Sequence, residues 1–190
     1  MLMVLCELGL AGVAWVLGWF LEVAPLVYFS WDAIDALLGV AACIPLLAVF
    51  LFLMCCPIGA LSSFKRALEK IIRPIFGGCT LVELAAVSLA AGVGEEILFR
   101  GVLQPAFSRW LGPWIGLAVA SLLFGALHPS SWSYVLIATI FGLYLGACWM
   151  ASGNLLVPVI AHGLYDFLAL AYLLRVQATA RAVNSTNGSS

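Results

Sequence analysis

A handful of ionisable residues stand out because each interrupts an apolar run. The stretch from Gly94 to Gly101 reads Gly-Glu-Glu-Ile-Leu-Phe-Arg-Gly and puts Glu95, Glu96 and Arg100 close together. On a helix, Glu96 and Arg100 stand at i and i+4 and can pair on one face. Glu95 then points about 100° round the axis and is free to face something else. The chain has two histidines, His128 and His162, both in apolar surroundings. His162 and Asp166 are again i and i+4, so the carboxylate can hold the ring or share its target. An ionisable group at the centre of a bilayer costs ~2.5 to 3.5 kcal/mol on insertion scales, so it usually faces a partner or a wet cavity. One shared site between helices satisfies all of these groups most simply.

The chemistry such a site suggests is hydrolysis. A carboxylate beside an imidazole can take a proton from water, and the water then attacks a carbonyl carbon. Glu95 with His128 is the expected base pair. His162 and Asp166 would then stabilise the oxyanion, or both histidines with a glutamate would hold a metal that activates the water. An ionised Asp166 would repel an oxyanion, so it helps only when protonated or through His162. Arg100 would neutralise Glu96 and fix the helix. The same residues are also compatible with an ion or proton path, or with polar bridging in a non-catalytic scaffold. The sequence has no His-Glu-x-x-His, Gly-x-Gly-Asp or Gly-x-Ser-x-Gly motif, which disfavours the usual zinc, aspartyl and serine signatures.

The elements that must position these residues follow from composition. Of 190 residues, 65% are hydrophobic and 9% charged, a balance suited to lipid rather than water. Spanning ~30 Å of hydrocarbon takes about 20 residues, and the chain holds roughly six such runs. The first is expected over Leu2 to Phe20 and the second over Ala36 to Met54. The segment Ser62 to Arg73 alternates Lys65, Arg66, Glu69, Lys70 and Arg73 with apolar residues and reads as an interfacial amphipathic helix. Further spans are expected over Leu81 to Phe107, Ile115 to Leu127, Tyr134 to Met150 and Leu155 to Leu174. The third of the six is unusual in also holding Glu83. The fold class is therefore an all-α polytopic membrane bundle. It divides into a two-helix scaffold (1–58), the interfacial segment (59–79), a catalytic bundle (80–175) and a polar tail (176–190) expected to be disordered.

Lys65, Arg66, Lys70, Arg73, Arg175 and Arg181 fall on one side of this arrangement and Arg109 on the other, which predicts cytoplasmic termini. The net charge of −1 offers no basic surface for nucleic acid. The six cysteines lack the paired spacing of a metal or redox site and read as small hydrophobes. Cys55 and Cys56 are adjacent near a helix end, where palmitate can attach.

Glu95-Glu96-Ile97-Leu98-Phe99-Arg100-Gly101, then Phe124-Gly125-Ala126-Leu127-His128, then His162-Gly163-Leu164-Tyr165-Asp166, resemble the ordered motifs of the CPBP family. That family comprises the type II CAAX prenyl endopeptidases and the bacteriocin-processing or immunity proteins. The resemblance covers Glu83 to Leu170. It implies a helical intramembrane endopeptidase in which Glu95 and His128 activate water, while His162 and Asp166 stabilise the intermediate. Asp166 stands where the prenyl endopeptidases have Asn. The implied partner is a peptide or protein substrate at the membrane, prenylated in the CAAX case. Metal dependence is left open, as is membership among the non-catalytic immunity proteins.

Overall fold

The computed structural model describes the backbone of residues 2–55, 62–128 and 131–187, with side chains described as far as Arg175. The described residues are helical throughout and include no strand, which agrees with the all-α bundle. Helices α1 (Leu2–Leu21) and α2 (Ala33–Cys55) precede the amphipathic α3 (Ser62–Phe76). A long rod follows in three pieces: α4 (Leu81–Glu96), a π-helical segment (Ile97–Leu103) and α5 (Gln104–Leu111). Helices α6 (Pro113–Ala126), α7 (Trp132–Ser152) and α8 (Leu156–Asn187) complete the order.

Among the described residues, four helices are long and apolar enough to cross a membrane: Met3–Leu21, Ala33–Cys55, Trp132–Ser152 and Leu156–Arg175. The other two expected spans differ in form. The rod from Leu81 to Leu111 is interrupted by the π segment and carries the charged cluster. Helix α6 has 14 residues, about 21 Å at 1.5 Å per residue, and is short for the hydrocarbon layer. Helix α8 continues to Asn187, past Arg175, so the backbone of most of the polar tail is helical where disorder was expected. The start of the 59–79 segment, Cys56, Pro129 and the last residues of the tail lie outside the described residues.

Helix α8 packs on α2 and α4, and α4 is held between α8 and α1. Two glycines on α4 make this sandwich tight. A Cβ at Gly92 would lie 2.8 Å from the backbone nitrogen of Gly163 on α8, and one at Gly94 would collide with the backbone carbonyl of Glu7 on α1. Either side chain would wedge the helices apart. Both close approaches lie just before Glu95 and Glu96 on α4.

The start of α4 also explains Glu83. Thr80 caps the helix, and the Glu83 carboxylate accepts from Thr80 N at 2.8 Å and from its hydroxyl at 2.9 Å, a complete capping box on an exposed surface. Glu83 therefore serves the helix end and lies apart from the buried cluster.

One end of the bundle is pinned by polar contacts between loops. Asn154, in the α7–α8 turn, donates to Ser30 O at 2.9 Å and to Asp35 Oδ2 at 2.7 Å. Its own Oδ1 accepts from Leu156 N at 3.0 Å. The α1–α2 connection is thus tied to the start of α8. Arg109, at the end of α5, donates to the carbonyl of Leu21 at the end of α1. These contacts gather the α1–α2 connection, the α5–α6 turn and the α7–α8 turn at the same end.

Candidate active site

Glu96 is fully buried, and its Oε1 accepts from Arg100 Nη1 at 2.7 Å and from His162 Nδ1 at 2.8 Å. The pair expected from the i, i+4 spacing is present. The link to His162, across 66 positions, could not be read from local spacing. Arg100 spends its other arm on Gly142 O of α7 at 2.7 Å, and its guanidinium sits 4.9 Å from the Phe124 ring centroid. One buried guanidinium therefore joins the π segment, α7 and α6. Four residues on, Gln104 Nε2 donates to Gly146 O at 3.3 Å, extending the same seam.

The π segment sets this register. Its wider turn is closed by the Gln104 N–H bonding back to Phe99 O, five residues earlier. An inserted residue of this kind rotates whatever precedes it relative to whatever follows, and such bulges recur at functional sites. Here the rotation separates the Glu95 and Glu96 end from α5, which packs on α6.

His162 presents its second nitrogen, Nε2, to Asp166 Oδ2 at 3.5 Å. Both nitrogens thus face carboxylate oxygens, and a doubly protonated ring would donate to each. Asp166 is the more open partner, its side chain 31% exposed against 8% for His162.

His128 follows the end of α6, and its Nδ1 lies 2.7 Å from Phe124 O. A carbonyl can only accept, so Nδ1 carries the proton and Nε2 in the neutral ring keeps a lone pair. The ring lies against Phe124 at 4.9 Å and Tyr134 at 5.9 Å, which fixes its plane.

Glu95 and His128 line one cavity of about 220 Å³, together with His162 and Asp166. The Glu95 Oε2 is buried without a hydrogen-bond partner. Glu95 and His128, the expected base pair, share the cavity without a direct hydrogen bond between them. Glu96 and Arg100 stand behind its wall. The cavity's opposite part is apolar, formed by Leu46 and Phe50 of α2, Leu68 and Ile72 of α3, and Leu173 of α8.

The polar lining residues not singled out from the sequence include Glu7 of α1, Ser88 of α4, Tyr134 of α7 and Tyr165 of α8. A signal for Glu7 existed, since it is the lone charged residue of α1. The tyrosines gave none, being ordinary residues of apolar helices.

Among the described residues, no three His, Cys, Asp or Glu side chains converge closely enough to hold a metal ion. Glu96 is engaged by Arg100 and His162, and His128 Nδ1 by a carbonyl. This donor set does not fit a metal centre of the kind left open above. It fits water held between a free carboxylate and a free imidazole nitrogen.

These features define a helical-bundle membrane protein with a partly open cavity between its helices, lined by carboxylates and imidazoles. Residues 78–168, just under half of the chain, match the family of type II CAAX prenyl endopeptidases, Rce1-like, and the chain is similar to that family over this segment. This is the family the motifs resemble, and it is a family of proteases. An uncharacterized protein of Bacillus subtilis (strain 168), YpbD, is 36% identical over 97 residues, covering 50% of this chain and 47% of the relative. An uncharacterized 24.3 kDa protein of Escherichia coli is 35% identical over 86 residues, covering 43% of this chain and 40% of the relative. The chain thus spans less than half the length of each. No solved structure matches.

Proposed function

We propose that this protein is an intramembrane endopeptidase in which Glu95 and His128 activate water for attack on a peptide carbonyl. The observation that carries the reading is that Glu95 Oε2 lacks a protein partner and His128 Nδ1 is engaged by a carbonyl, with both residues on one cavity. Glu95 takes the water proton, His128 Nε2 orients the water, and the oxygen adds to the carbonyl carbon. The resulting oxyanion accepts a hydrogen bond from the His162 side of the cavity, with Asp166 acting through the ring. The proton held by Glu95 passes to the leaving amine as the C–N bond breaks. Glu96 and Arg100 are positioning residues, since neither lines the cavity and both anchor His162 or α7.

The apolar arm of the cavity supports a substrate with a hydrophobic or lipid-modified segment beside the cleaved bond, of which a prenylated tail is one case. We further propose about six traverses with both ends of the chain in the cytoplasm.

The test is incubation of purified protein in detergent with prenylated and unmodified tail peptides, with and without chelator. Cleavage that survives the chelator and is lost in Glu95→Gln supports the mechanism. Cleavage that survives Glu95→Gln sinks it, and no cleavage of any peptide removes the peptidase reading.

A further inference from the structure

The cavity receives a carboxylate from an element outside the matched family segment. Glu7 of α1 is half-buried and lines the cavity with Glu95 and Asp166. Its place is enforced by packing, because Gly94, the residue before Glu95, has no Cβ and lets the α1 backbone at Glu7 seat against α4. Any larger residue at 94 would push Glu7 away from the site.

The charges facing the cavity do not balance. Glu7, Glu95 and Asp166 are set against two imidazoles, and one of those, His162, already serves Glu96. Among the described residues the lining includes no lysine or arginine, and Arg100 is committed to Glu96 and Gly142 O. Glu95 is accounted for by water activation and Asp166 by His162. Glu7 has neither a hydrogen bond nor an ion pair among the described residues, although its helix offers an otherwise uncharged surface. A carboxylate kept in a low-dielectric cavity with no lysine or arginine among its described lining residues is satisfied best by a cation that arrives with the ligand.

We infer that Glu7 is a specificity-determining residue that selects peptide substrates carrying a basic side chain, lysine or arginine, near the bond presented to Glu95 and His128. This rests on the peptidase reading for the class of ligand. The apolar arm would take the hydrophobic part of the same segment, so the preferred ligand combines one positive charge with an apolar flank.

The experiment reads binding without turnover. In nanodiscs carrying the His128→Ala protein, fluorescent apolar peptides are compared in pairs, with lysine or norleucine at each successive position. At one position lysine should bind about tenfold more tightly than norleucine, the scale of a partly desolvated ion pair. Adding Glu7→Gln should shrink that ratio to about twofold or less, while Glu7→Asp retains it. If the glutamine variant does not fold, Glu7→Met, with a side chain suited to an apolar helix, carries the same comparison. The inference is overturned if no position prefers lysine, or if the preference is unchanged when the carboxylate is removed. A protein that binds lysine peptides through Glu7 and cuts none keeps this inference and loses the peptidase reading. One that cuts with no lysine preference loses this inference alone.

Discussion

At the scale of single residues, neighbouring carboxylates have opposite fates. Glu96 is fully buried with Oε1 tied to Arg100 and His162 and Oε2 without a partner, whereas Glu95 lines the cavity and turns an unpartnered oxygen to it. Replacing Glu95 by Gln or His128 by Ala should therefore abolish turnover and leave the thermal midpoint in detergent nearly unchanged, because neither side chain makes a hydrogen bond to a second helix among the described residues. A large loss of midpoint in either variant would mean that the residue is structural instead. Arg100→Ala should do the reverse, leaving Glu96 as a buried charge with less compensation and costing about 3 to 5 kcal/mol. The double variant Glu96→Gln, Arg100→Gln should be more stable than Arg100→Ala alone, since no unpaired charge remains. Equal midpoints for wild type and Arg100→Ala would refute the ion-pair account. The i, i+4 pairs were legible in the sequence because helix geometry alone sets them. The Glu96–His162 bond was not, because it depends on how α4 and α8 approach.

At the scale of elements, that approach is governed by positions with no chemistry of their own. Gly92 brings the α4 backbone against Gly163, and the Glu96–His162 contact lies one helical turn further along the same interface. Gly92→Ala should cost about 1 to 3 kcal/mol, the range for forcing atoms into a packed interface. It should also lower turnover by pulling His162 from Glu96, although residue 92 touches no substrate. A variant with normal stability and normal turnover would show that α8 accommodates the methyl without moving. Apolar periodicity revealed most of the helices, and the alternation of basic and apolar residues revealed α3. The break in the long rod stayed hidden, since Ile97–Leu103 has the composition of any apolar helix and the π turn is imposed by Arg100 and Gln104 reaching α7. Helix α8 was cut short in the sequence reading for a related reason: its last part is polar and has no apolar stripe to mark it.

At the scale of the whole molecule, four long apolar helices among the described residues and the similarity of residues 78–168 to a membrane protease family point to a membrane protein whose two ends differ in charge. Exposed tryptophans stand at both ends, Trp19 at 76%, Trp31 at 84% and Trp114 at 73% where the α1–α2 connection and the α5–α6 turn gather, and Trp132 at 89% at the start of α7 on the opposite end. Such rings favour the boundary between lipid and water. The opposite end holds α3, with Arg66, Lys70 and Arg73 exposed. Basic residues collect on the cytoplasmic side of membrane proteins. With α1 starting and α8 finishing at the α3 end, both termini should be cytoplasmic. The tail supplies a probe, because Asn184-Ser185-Thr186 and Asn187-Gly188-Ser189 fit the Asn-x-Ser/Thr acceptor pattern, which is glycosylated only in the lumen. Expressed in a eukaryotic secretory membrane, the chain should gain no glycan at Asn184 or Asn187. The helical continuation of α8 could itself hinder transfer, so a flexible spacer should be inserted after Arg175. An acceptor site engineered with its own spacer into the α1–α2 connection should be modified in the same cells, proving that the chain has inserted. A glycosylated tail in the spaced protein would refute the cytoplasmic placement and put the basic face of α3 on the lumenal side.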